Sequence, residues 1–305
     1  MQRALAILAA LFAATTLHAA TITILCSADT GISSAFPSAN MGGKTQIPIG
    51  RSAVGGYKSR GLYRFDLTNI PPNATIVRAT LNIPVTFLPS NDVPALYELH
   101  RMYLTWTEGN KVGGDYGATA DPGEATWLMR TTQRWMAPGA HPGFGFGTGD
   151  YLSLGSGGAT VSSNGIASFS SDIVAGDVIR FRNDPIENHG WIIHETSEAT
   201  NRTEKLFATR EHPTNPPTLV VTYTTPGEPP QITAIYKDGT NIIIAWIGGM
   251  SSYQIQSADN PNGPWTNLGP ITTQTSALLP ISSSHQFFRI LGHPSLKRLP
   301  RLQNS

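Results

Sequence analysis

Leu62-Tyr63-Arg64-Phe65-Asp66-Leu67, followed by Ile70-Pro71-Pro72-Asn73-Ala74 and then Thr75, is the stretch whose reading decides the fold. Side chains alternate between faces along a strand, so Tyr63, Phe65 and Leu67 share one face and Leu62, Arg64 and Asp66 the other. One face is core and the other mixed. The two prolines cannot donate to a ladder, so they end the strand, and Thr75 opens the next.

Runs of the same kind, bounded by Gly, Pro and Asn, recur at 21–26, 76–85, 96–104, 165–170, 190–195, 204–208 and 218–223. No segment after residue 20 holds a helical period for ten residues, so the expected fold class is all-β. Thr224-Thr225-Pro226-Gly227-Glu228-Pro229-Pro230 offers nothing apolar to bury and is stiffened by proline, which predicts a linker over 225–230. Six further short runs, at 231–236, 241–246, 252–258, 265–268, 276–279 and 286–290, predict a small fibronectin- or immunoglobulin-like β-sandwich over 231–292.

At the start of the chain, Met1-Gln2-Arg3 precede an apolar run from Ala4 to Ala14 and a small-residue exit ending in Ala19-Ala20. That pattern predicts a signal peptide over 1–20 and a secreted, extracellular protein. The run is shorter than the roughly 20 apolar residues a spanning helix needs, so no membrane span is expected. Residues 293–305 form a basic polar tail without a hydrophobic sorting signal. Charged residues make up 13% of the chain and the formal net charge is +1, a balance that argues against nucleic acid as a partner. Cys26 is the single cysteine, so no intramolecular disulfide is possible and a buried thiol is expected.

Several motifs in order carry a resemblance. They are Pro37-Ser38-Ala39-Asn40-Met41-Gly42-Gly43, Arg60-Gly61-Leu62-Tyr63-Arg64-Phe65-Asp66-Leu67, Ile70 to Ile76 and Ala79-Thr80-Leu81. Trp106-Thr107-Glu108, Ala125-Thr126-Trp127, Trp135, Asn188-His189-Gly190-Trp191 and Pro217 to Tyr223 continue the series. Together they resemble the DNRLRE domain of secreted bacterial and archaeal proteins, over roughly residues 27 to 224. The resemblance implies a large β-sandwich of jelly-roll type, here 21–224, attached to polysaccharide-degrading proteins. Some members are alginate-binding carbohydrate-binding modules and others are disaggregatase-related. The Gly/Asp-rich segments 109–123 and 139–158 depart from the pattern. Tyr253 to Ser257, Gly263-Pro264-Trp265-Thr266 and Phe287-Phe288-Arg289-Ile290 are similar to short fibronectin-like C-terminal repeats of secreted proteins, which implies a spacer.

Signatures of catalysis are missing from the sequence: there is no His-Glu-x-x-His and no Gly-x-Ser-x-Gly, and one cysteine cannot build a thiolate cluster. His189 and His194 lie five apart in a presumed strand, on opposite faces, which disfavours a shared metal. Lys44, Arg51, Lys58 and Arg60 form the densest basic stretch of an otherwise neutral chain, suited to a polyanion or serving only solubility. Sugar rings stack on aromatic faces, which makes Tyr116 and Trp127 candidate ligand residues beside those four bases, although sandwich tryptophans usually pack. Asp115, Asp121 and Glu124 are a candidate calcium set or solvated loop charges, and Asp29 with Asp66 offers a second calcium possibility or turn capping. The expected protein is a non-catalytic binder of an acidic polysaccharide such as alginate or another uronate. A structural or adhesive protein with matrix or cell-surface partners is the alternative, and a glycan lyase or hydrolase using the 109–124 loop is a third reading.

Overall fold

The computed structural model describes residues 17–72, 74–226, 230–248, 252–282 and 286–293. Residues 1–16 of the expected signal peptide, 227–229 of the expected linker and 294–305 of the tail lie outside the described residues. Among the described residues the chain is all-β, 49% strand against 6% helix. It divides into two compact units, Thr21–Tyr223 and a smaller one that begins at Thr224.

The large unit is built on ten strands: β1 Leu17–Ser33, β2 Gln46–Arg51, β3 Lys58–Phe65, β4 Thr75–Phe87, β5 Ala95–Arg101, β6 Gly157–Val161, β7 Gly165–Ser170, β8 Trp191–Glu195, β9 Lys205–Ala208 and β10 Thr218–Pro226. Their order is β1-β10-β4-β9-β2-β3-β8-β5-β6, with β7 on β4, and a further β1–β3 pairing closes six of them into a flattened ring. The last of these strands runs as far as Pro226, into the segment that composition marks as linker. Between the two sides of the ring lies the main core, which takes Tyr63, Phe65 and Leu67 from the deciding stretch together with Ile47, Ile49, Leu81, Trp191 and Phe207.

On the mixed face of the deciding stretch, Leu62 is buried too, Arg64 is partly covered and Asp66 stays exposed. The chain from Met102 to Ser156 folds back over β1, β3 and β8, and Trp106, Trp127, Trp135 and Tyr151 pack with Ala28, Ile32, Leu62 and Ile192 in a second cluster. Arg64 stacks over Trp106 and Arg60 over Trp127, with 5.2 and 5.4 Å from guanidinium carbon to ring centroid. Gly190 is required at its position: its φ is +72°, and a Cβ would collide with the Tyr63 carbonyl.

Two histidines meet under this layer. His189 precedes β8 rather than belonging to it, whereas His194 stacks on His100 with centroids 4.8 Å apart. Burial, with Arg60 and His100 nearby, holds the His194 imidazole down to about 4. An unfolded chain binds this proton below pH 6.5 and the folded chain only below about 4. Stability is therefore expected to fall on acidification through that window, by about 3 kcal/mol, and to be indifferent to this group above it. Thermal melts at pH 7, 5.5 and 4 check this: the His194→Gln protein should show a shallower decline, and an identical decline would refute the assignment.

Against the expectation of no helix, Asp172–Asn183 forms a 12-residue helix, α1. The Ser171 hydroxyl caps it, accepting from the amides of Ile173 and Val174, and Val174, Val178 and Phe181 bury one face at helical spacing. β-Branched residues and Gly176 make its local propensity weak, so the packed face holds it.

The small unit has two three-stranded sheets. One orders Gln231–Asp238, Asn241–Ile247 and Ser276–Pro280; the other orders Thr266–Thr272, Ser252–Ala258 and Phe287–His293. Ile242, Ile244, Trp246, Tyr253, Ile255, Phe288 and Ile290 fill the space between them, as in a fibronectin-type sandwich. No helix among the described residues is long and apolar enough to cross a membrane.

Candidate functional site

The outer face of β4, β9 and β2 carries a groove that contains residues singled out from the sequence. Ile47 and Ile49 of β2 turn inward, so Gln46 and Pro48 turn outward. Register then aligns the buried Pro48 with the half-buried Leu206 and Leu206 with the exposed Phe87, giving an apolar floor across three strands. The loop bearing Asp115 and Tyr116 forms one wall, and Lys44, Pro89 and Glu204 complete a groove of about 270 Å³. Phe87 is 51% exposed. Such a face presents an aromatic ring and flanking polar groups to solvent at once.

Tyr116 is half-buried rather than exposed. Its hydroxyl donates to Glu204 Oε1 at 2.9 Å, and its ring lies 5.9 Å from that of Phe36. Ser59 donates to the other Glu204 oxygen at 3.1 Å. Burial pushes the Glu204 carboxyl up from its ordinary value, and burial followed by the Glu204 charge does the same to the Tyr116 phenol. The pair is thus held in a hydrogen-bonded, low-dielectric corner of the groove. Lys44 donates to the Gly114 carbonyl, which ties β2 to the wall loop.

The remaining basic residues do not line this groove. Arg60 is buried and bidentate to Glu198, with Nε to Oε1 and Nη2 to Oε2 both at 2.6 Å, and its Nη1 donates to the carbonyls of Gly139 and Ala140. Arg51 reaches Asn201 Oδ1 and the Glu198 carbonyl, each at 2.7 Å. Lys58 stands 3.4 Å from Glu198 with 41% of its side chain exposed. Within the run that reads as a basic strip, Arg60 and Lys58 clamp one buried carboxylate and Arg51 holds the backbone beside it. Trp127 is buried beneath Arg60, which corrects it and Arg60 from ligand residues to packing residues.

The expected calcium set does not converge. Asp121 and Glu124 both pair with Lys111, and Glu124 also accepts from the backbone amides of Asn110 and Asp121. Asp115 stands apart in the groove wall. An ammonium therefore holds the position between Asp121 and Glu124. Asp66 caps its own turn, accepting from the Thr68 amide at 3.0 Å. The carboxylates that do converge among the described residues are those of Asp29, Glu108 and Glu211.

Phe87, Gln46, Pro48 and Leu206 were not singled out from the sequence. Their signal is the alternation Gln46-Ile47-Pro48-Ile49, which marks an outward pair, but only the strand register shows what lies beside it. No protein-family model matches the chain, and no curated protein matches it.

Proposed function

We propose that this protein is a secreted, non-catalytic carbohydrate-binding protein whose β4–β9–β2 groove holds a polysaccharide, with alginate or another uronate as the expected class. The observation that carries the reading is the aligned floor of Phe87, Leu206 and Pro48 between polar groups from Lys44, Gln46 and Asp115. Sugar C–H faces stack on such a floor, while the rim hydrogen-bonds hydroxyls and Lys44 meets a carboxylate. The DNRLRE resemblance points the same way. With Arg51, Lys58 and Arg60 engaged at Glu198 and its surroundings, Lys44 is the cation the groove offers a polyanion. Preference for acidic chains is accordingly expected to be moderate and to weaken with salt.

An adhesive role is a second reading, favoured by Phe144 and Phe146, 89% and 80% exposed on the Gly-rich loop 143–149. Screening the mature protein on a polysaccharide array of alginate, pectate and neutral glucans, at two salt concentrations, separates the two. Salt-sensitive uronate retention lost in Phe87→Ala supports the groove. Silence on every glycan, with matrix retention lost in a Phe144→Ala, Phe146→Ala double variant, supports adhesion.

A further inference from the structure

We infer that Asp29, Glu108 and Glu211 form a binding site for a divalent cation of calcium type, which fastens β1 to the Trp106–Gly109 segment and to the turn after β9. One carboxylate oxygen from each residue lies within 4.8 Å of the others. Oxygens sharing one calcium ion at about 2.3–2.6 Å are no farther apart than about 5 Å, so this spacing suits a single ion. The donor set is all oxygen, as a hard cation prefers.

A second observation points to a ligand. Asp29 is fully buried, and its Oδ1 receives no hydrogen bond. Glu211 Oε2 is likewise buried and unpartnered. Their other oxygens are engaged: Asp29 Oδ2 accepts from the Arg210 amide at 2.7 Å, and Glu211 Oε1 stands 3.0 Å from Arg210 Nη2. Glu108 Oε1 accepts from Arg210 Nε at 2.6 Å and from the Asp29 amide at 2.7 Å, and Glu108 Oε2 accepts from Arg210 Nη2 at 3.1 Å. Glu108 and Glu211 pair with the Arg210 guanidinium while Asp29 meets only the Arg210 backbone amide, so three carboxylates against one cation leave two negative charges, the amount one divalent cation carries. Buried polar groups in folded proteins are normally satisfied, and buried charges are paired or bind metals.

The electrostatics agree with this geometry. Burial first, then the charges of Glu211 and Glu108, drive the Asp29 carboxyl well above its ordinary range against the opposing Arg210 amide bond, and the Cys26 thiol lies against the same carboxylate. Acid therefore competes with the metal, as expected wherever ligands must be deprotonated.

The test uses the whole mature protein stripped with chelator and titrated with calcium chloride and, separately, with terbium, whose emission Trp106 sensitises from two residues before Glu108. Expected are one terbium per chain, displaced by calcium, and a melting temperature raised by about 5 °C at saturating calcium. Glu211→Gln should weaken calcium at least tenfold with an unchanged far-ultraviolet spectrum, and Glu108→Gln should do likewise. Asp29→Asn is the stronger change but lies in the fully buried layer, so the partly exposed Glu211 carries the test if that variant fails to fold. No terbium emission and no melting shift in 10 mM calcium, a concentration on the order of ten times the weakest extracellular sites, would overturn the assignment. Binding that survives both glutamine variants would overturn it as well.

Discussion

Arg60→Ala is expected to destabilise the protein by about 3–5 kcal/mol, the range for removing one partner of a buried ion pair. The guanidinium is 9% exposed and gives two hydrogen bonds to Glu198 and two to backbone carbonyls. Alanine leaves the Glu198 carboxylate, 7% exposed, with Lys58 at 3.4 Å as its remaining charge partner. It also strips the Gly139 and Ala140 carbonyls of their donor and uncovers Trp127. Burial alone would push the Glu198 carboxyl up, but the Arg60 hydrogen bonds and charge outweigh it and hold the group below its usual value. A carboxyl depressed in the folded state contributes stability above its unfolded value and loses it as pH falls through the folded one. The variant should therefore lose part of the wild type's acid sensitivity along with its stability at neutral pH. Urea unfolding at pH 7 and pH 4 measures both; a loss under about 1 kcal/mol at pH 7 would show that Arg60 is not the pin of the 139–140 loop.

The second large effect concerns the groove. Phe87→Ala is expected to weaken polysaccharide binding about tenfold, near 1.4 kcal/mol, because an aromatic platform under a sugar ring contributes on that scale. Its side chain is half in solvent, so fold stability should change little, and that separates binding from folding. Lys44→Ala should lower affinity for a uronate by a smaller factor and flatten its salt dependence, leaving a neutral glucan unaffected. Arg60→Ala, by contrast, should not alter affinity in whatever fraction remains folded. Affinity electrophoresis in gels cast with each polysaccharide gives these comparisons directly. Equal retention of the Phe87→Ala and parent proteins would remove the groove from consideration.

The strand pattern was legible because period two in 62–67 is strict, and the structure buries Tyr63, Phe65 and Leu67 together as that period requires. Helix α1 was not legible: Val174, Val178 and Phe181 have helical spacing, yet Ile173, Gly176 and Ile179 dilute both the pattern and the propensity. Charge in sequence was the least reliable guide. Arg60 and Glu198 are separated by 138 positions, so nothing local announces that one neutralises the other. Asp121 and Glu124 resemble cation ligands until Lys111 is seen between them. The groove floor, too, depends on register across β4, β9 and β2, and no floor residue was within reach of sequence reasoning, unlike Lys44, Asp115 and Tyr116 on its rim.

The most direct test of the central claim is a titration of isotopically labelled mature protein with alginate oligomers, followed through the backbone amide resonances. Shifts are expected to concentrate at Lys44, Gln46, Phe87, Asp115, Tyr116 and Leu206, growing with oligomer concentration and shrinking as salt is raised. Shifts confined to the Phe144–Phe146 loop, or spectra unchanged by every oligomer, would contradict it.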